Sequence, residues 1–116
     1  MKIIKEPIKK EDLKKYMSYF KKVIKAVVDT RKEIIALDAE LHADLEKALL
    51  EEGSKQEDLW GINIYPFNEK GFIEYYSLIN IKPHQDNYSM DVEDNDVRGK
   101  IRGVVKKLIK DEVKIP

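Results

Sequence analysis

Two short apolar runs on either side of four polar residues constrain this chain more than any other feature. Val23 to Val28 and Glu33 to Leu37 are apolar at nearly every position, and Asp29-Thr30-Arg31-Lys32 joins them. Short β-branched runs around a polar link predict a hairpin. Neither run alternates apolar with polar residues, so both strands are expected to be covered on two faces or to lie centrally in a sheet.

The flanking patterns supply the other elements. Lys2 to Lys5 reads as a short strand that Pro7 stops. From Glu11 to Lys22 the period becomes helical, with Leu13, Tyr16, Met17 and Phe20 on one stripe and Lys14, Lys15, Lys21 and Lys22 outside it. A second helix is predicted from about His42 to Glu52, with Leu41, Leu45, Ala48 and Leu49 inward and Gly53 as its left-handed cap. Leu59 to Pro66 and Phe72 to Lys82 then read as a second strand pair around Phe67–Gly71. In the first strand Trp60, Ile62 and Ile64 share a face opposite Gly61, Asn63 and Tyr65. In the second, Ile73, Tyr75, Ser77, Ile79 and Ile81 oppose Phe72, Glu74, Tyr76, Leu78 and Asn80. Keeping the apolar faces together requires an odd sum of paired residue numbers, such as 64 with 73 or 75. Asp94 or Asn95 caps a last helix with Val97, Ile101, Val104, Val105 and Leu108 inward. The order β-α-β-β-α-β-β-α predicts a single α+β domain over residues 1–116, with a mostly antiparallel sheet of about five strands and three helices.

Composition excludes several functional classes. There are no cysteines, which removes disulfide scaffolds, cysteine zinc sites, iron–sulfur clusters and thiol catalysis. No apolar run approaches the roughly 20 residues of a membrane span, and no secretory leader is evident, so a cytoplasmic setting is expected. The 22 basic and 22 acidic residues cancel, which disfavours nucleic-acid binding through a whole basic surface.

Three polar segments could carry chemistry: Glu40–Asp44, Gly53–Gly61 and Asn80–Asn87. The second hairpin brings the latter two together at its open end, where sites are commonly assembled. His42/Asp44 and His84/Asp86 form two His-x-Asp elements, a valid donor set for zinc, manganese or iron. An i, i+2 pair converges only in an extended segment; on a helix it diverges by about 200°. Ser54 has His42 and Asp58 nearby in sequence but no nucleophile elbow, and a capping serine explains it better. Gly53-Ser54-Lys55 lacks the glycine lead of a phosphate loop and precedes a strand. The last helix carries Arg98, Lys100, Arg102, Lys106, Lys107 and Lys110 outside its apolar stripe, a face that could track phosphates or simply be solvated. Gly99 and Gly103 would permit close helix contact, internal or across a dimer.

The strings Glu40-Leu41-His42-Ala43-Asp44, Gly53-Ser54-Lys55-Gln56-Glu57-Asp58-Leu59-Trp60-Gly61-Ile62-Asn63-Ile64-Tyr65-Pro66 and Ser77-Leu78-Ile79-Asn80-Ile81-Lys82-Pro83 resemble a family of small uncharacterised prokaryotic proteins, a domain of unknown function. The resemblance covers most of the chain. Its pattern has two glycines where this chain has Asp38 and Ala39, and a serine at the position of His84. It implies no activity. It directs attention to His42, Asp44, Ser54, Gln56, Trp60, Asn63, Asn80 and Asn87 as a candidate pocket.

The leading expectation is a cytoplasmic, self-associating ligand-binding or protein-interaction module, needing no cofactor, metal, membrane or nucleic acid. The alternative is a small enzyme using His42 and Asp44 for acid–base or metal-assisted chemistry. The enzyme needs His42 and Asp44 in one cleft with the amides of Gln56, Asn63 or Asn80 converging on it. In a binding module those amides hold loops through backbone hydrogen bonds. Nucleic-acid binding through the last helix is a third alternative.

Overall fold

The computed structural model describes residues 1–111. In chain order the strands and α-helices are β1 (Lys2–Ile4), β2 (Ile8–Lys9), β3 (Ile24–Asp29), β4 (Ile34–Leu37), α1 (His42–Glu51), β5 (Leu59–Ile64), β6 (Ile73–Glu74), α2 (Asn95–Leu108) and β7 (Ile109–Lys110). Five strands form one sheet in the order β1-β4-β3-β5-β6, and each neighbouring pair is antiparallel. The fold is α+β. β2 and β7 add a short parallel pair that hydrophobic patterning does not reveal.

β3 and β4 are the expected hairpin, and both are buried along their whole length apart from half-buried Lys25. Two helices on opposite faces cause this. Ile24, Ala26 and Val28 join Ile35, Leu37, Trp60, Ile62 and Ile64 beneath Ile101, Val104, Val105 and Leu108 of α2. Val27, Ile34, Ala36 and Leu59 turn the other way, onto Leu45 and Leu49 of α1. Each large aliphatic side chain withdrawn from water contributes about 1.5–3 kcal/mol. The Asp29 carboxylate organises the hairpin link by accepting from the Arg31 and Lys32 N–H groups. Gly53 ends α1 at φ +96°, and Asp94 caps α2 by accepting from Asp96 N–H.

Two expected elements are shorter than their sequence patterns. The helix expected over Glu11–Lys22 is a 3-10 helix, Lys10–Tyr16. Its stripe is used, since Leu13 is buried and Tyr16 and Met17 pack on the α2-side core. The helix stops because Ser18 is engaged elsewhere: its N–H and hydroxyl donate to the two carboxylate oxygens of Asp38 at 3.0 and 2.7 Å. Asp38 itself has φ +70°, the left-handed backbone that a glycine adopts without strain. The glycine of the resembled pattern at the position of Asp38 therefore has a structural reason.

The strand expected over Phe72–Lys82 is reduced to Ile73–Glu74, in the predicted register of Ile64 with Ile73 and Asn63 with Glu74. After Glu74 the chain leaves the ladder. Tyr76 bridges to Asp91, and Leu78–Asn80 makes a 3-10 turn. The expected face assignment fails at both ends of the segment: Phe72 packs on the α2-side core beside Ile73 and Tyr75, and Asn80 is buried while Ile81 is exposed.

Gly61 permits this departure. A Cβ placed there would lie 2.4 Å from Ser77 Cβ and 2.6 Å from its Oγ. Gly61→Ala should destabilise the protein by about 2–3 kcal/mol in urea unfolding, as overpacked sites do. Adding Ser77→Gly should recover much of that loss; purely additive effects would contradict the contact.

Candidate functional site

Beyond Asn63, the outer edge of β5 is met by side chains. Asn80, fully buried, accepts from Gly61 N–H through Oδ1 at 2.8 Å and donates from Nδ2 to Gly61 O at 2.9 Å and Met90 O at 3.1 Å. The amide thus presents the donor and acceptor that a neighbouring strand would offer. Lys82, only 2% exposed, sends Nζ to Gln56 O and Leu59 O, both at 2.6 Å, with the Trp60 ring centroid 4.3 Å away. Asn87 braces the returning loop: Nδ2 donates to Asn80 O, Ser89 O and Asp91 O, and Oδ1 accepts from Glu93 N–H. Gln85 Nε2 reaches Glu57 O at 3.0 Å. The Gly53–Gly61 and Asn80–Asn87 segments therefore do meet, as the hairpin reading expects.

Several residues in the candidate pocket have structural partners. Ser54 Oγ donates to Asp29 Oδ2 at 2.6 Å, which joins the end of α1 to the first hairpin. Gln56 has an exposed side chain and contributes its backbone oxygen. Trp60 is buried in the α2-side core. Lys82 is the residue that sequence reasoning misses; its one signal is a lysine directly after Ile81 and before Pro83.

His42 and Asn63 face a different place. Together with Lys25, Leu41, Ala43, Tyr76, Ser77, Leu78, Ile79 and Met90 they line a groove of about 380 Å³. It lies between the N-terminus of α1 and the segment that leaves the ladder after Glu74. Asn63 is 9% exposed, and its Nδ2 donates to Glu74 Oε1 at 2.8 Å and Tyr76 O at 3.2 Å. Those two acceptors fix the amide orientation and leave Oδ1 buried without a partner. An orphaned buried acceptor costs about 1–3 kcal/mol. The rim is apolar: Leu78 is 70% exposed, Leu41 55% and Tyr76 45%.

Asp44 lies elsewhere, in a cleft with Met1, Tyr19, Glu40 and Lys47. The helical start of α1 separates it from His42, the divergence expected of an i, i+2 pair. His84 is exposed, and Asp86 adopts φ +59° and accepts from Tyr88 OH. Among the described residues no group of three or more His, Asp or Glu side chains is placed to hold a metal ion. On the last helix, Lys107 pairs with Glu33 at 3.1 Å and Arg98 sits 4.7 Å from the Tyr75 ring, so two of its cations have internal partners.

His42 Nε2 lies 2.8 Å from Ile62 O. A carbonyl only accepts, so Nε2 carries the proton of the neutral ring. Burial holds the imidazole below its usual 6.5, and nearby Lys25 pushes the same way against the Ile62 and Asn63 interactions. Unfolded, the ring takes up its proton near pH 6.5; folded, it does so at lower pH. Stability from this group is therefore full above about 6.5, falls as pH drops through that window and levels below the folded value. Urea midpoints measured across the window should fall with pH, and His42→Gln should flatten the slope. Lys82 supplies a second titration. Burial lowers its ammonium to about 8, with Glu46, Asp58 and Glu57 opposing. Its contribution to stability should rise between about pH 8 and 10.4, where only the unfolded chain retains the proton. The Lys82 ¹³Cε NMR titration should have its midpoint near 8; a midpoint near 10.4 would contradict the burial.

No curated protein and no solved structure gives a significant match to the chain. A family of proteins of unknown function does match, over residues 2–108, taking in the whole five-stranded sheet, α1 and α2. The chain therefore belongs to the family described as Protein of unknown function (DUF5674).

Proposed function

We propose that this domain is a binding module whose ligand occupies the groove between the start of α1 and Tyr76–Ile79. The observation that carries the reading is a groove of about 380 Å³ whose walls are largely apolar, with Leu41, Leu78, Ile79 and Met90 beside half-buried His42 and buried Asn63. Binding sites combine apolar lining with a few fixed polar groups in this way. The amides of Asn80 and Asn87, by contrast, are bonded to backbone groups, the behaviour expected of a module that holds its loops. The catalytic alternative needs His42 and Asp44 in one cleft, and they line two different ones. The cysteine-free composition supports a reducing, cytoplasmic setting.

Self-association belongs to the same reading. Leu41, Tyr76 and Leu78 expose apolar surface around one opening, where a second copy could cover them. Sedimentation velocity over a range of concentrations should show a reversible dimer, and Leu78→Glu should yield a monomer with an unchanged melting temperature. A wild-type protein that stays monomeric at millimolar concentration would remove self-association from the proposal. The groove is tested separately, by screening small apolar and amphipathic compounds for chemical-shift changes at His42, Asn63 and Leu78. Changes confined to other surfaces would overturn the binding site.

A further inference from the structure

A second cavity, of about 400 Å³, lies where β6, α2 and the start of the 3-10 helix Lys10–Tyr16 meet. It shares no lining residue with the groove. The short β2–β7 ladder builds it: pairing of Ile8 with Ile109 and of Lys9 with Lys110 holds the start of the 3-10 helix beside the end of α2. Lys10 is thereby delivered to a space that α2 lines with Arg102 and Lys106. Three cations from distant parts of the chain line one cavity. Lys10 is held there by Phe72, whose ring centroid lies 4.8 Å from Nζ. Arg102 and Lys106 stand about one helical turn apart, where like charges disfavour each other. Among the described residues neither meets a carboxylate within ion-pair distance. Glu69 and Asp111 also line the cavity, both exposed, and Asp111 stands 3.8 Å from Lys10, so the lining stays net positive. The remaining walls are apolar, with half-buried Phe72, Ile73 and Tyr75 beside buried Val105 and Ile109.

We propose that this cavity binds a small organic phosphate monoester, with the phosphoryl oxygens on Arg102, Lys106 and Lys10 and an apolar or aromatic body against Ile73, Tyr75 and Val105. A phosphate monoester carries three strong acceptor oxygens, enough for three cations, whereas a carboxylate has two. A guanidinium donates to two of those oxygens at once, and each ammonium adds a compact charge. A dianion also offsets the repulsion between Arg102 and Lys106 in the free protein. The volume leaves room for a body beyond the phosphate, since small-molecule sites begin at about 300 Å³. The inference is independent of the groove and stands or fails without it.

The test is an NMR titration of the full chain with phenyl phosphate, inorganic phosphate, benzoate and phenol at fixed ionic strength. Phenyl phosphate should shift the Gly71, Ile73 and Val105 amide resonances, with an affinity about tenfold above those of the other three, the difference a charge-assisted contact makes. Arg102→Gln should weaken phenyl phosphate binding about tenfold. Lys100→Gln, on the same helix but not lining the cavity, should leave it unchanged. Both side chains are exposed, so neither substitution disturbs the core. Equal losses in the two variants would mean diffuse attraction to a basic helix and would overturn the site. Benzoate binding as tightly as phenyl phosphate would overturn the phosphate assignment. Inorganic phosphate doing so would overturn the apolar half of the ligand. Absence of shifts at the cavity with phenyl phosphate would overturn the inference outright.

Discussion

Along the outer edge of β5, the peptide groups of Gly61 and the carbonyl of Leu59 are bonded by Asn80 and Lys82 side chains where a sheet would ordinarily place another strand. An open edge invites pairing with other chains, and buried peptide groups need partners. A carboxamide meets both requirements at Gly61, because it carries one acceptor and two donors in a plane. A lysine ammonium meets them at Leu59 and also reaches Gln56, which ties the turn before β5 to the same point. Both groups depend on Gly61, since the chain carrying Asn80 passes over it too closely for any side chain.

This closure shapes what the domain can bind. Because residues after Glu74 are freed from the ladder, Tyr76 and Leu78 turn outward and stand opposite the start of α1. The groove is the space left between them. Asn63, the last β5 residue before the side-chain edge begins, also lines it, and its amide nitrogen holds Glu74 and Tyr76 O at the point where the chain departs. The substitution of side chains for a strand and the opening of a cleft are thus one structural event.

Much of the architecture was legible because it depends on periodic burial. The nearly continuous apolar character of β3 and β4 announced cover on two faces or a central place, and α1 and α2 provide the cover. Parity allowed Ile64 to pair with residue 73 or 75, and the ladder takes Ile73. The failures have a common cause. Asp38 draws Ser18 out of a helical pattern, and Asn80 draws its own segment out of a strand pattern, through side-chain bonds to distant backbone that no local period encodes. The candidate site was partly legible for the same reason. Asn80 and Asn87 lie in a segment more polar than packing needs and Asn63 is marked by the family resemblance, yet their roles depend on partners up to 19 residues away. Lys82 gave little signal, because a lysine is usually a surface residue. The long strings that carry the family resemblance contain Gly61, Asn80 and Lys82, the parts of this closure, and Ser54, which ties the end of α1 to the first hairpin.

The most direct test of this account is amide hydrogen exchange at Gly61, measured residue by residue in the wild type and in Asn80→Ala. If the Asn80 side chain replaces a strand, the Gly61 amide exchanges as slowly as Ile62, which lies in the β3–β5 ladder. In the variant, Gly61 protection should fall sharply while Val27 and Val28 in β3 stay protected. Fast exchange at Gly61 in the wild type, or protection that survives loss of the Asn80 amide, would contradict it.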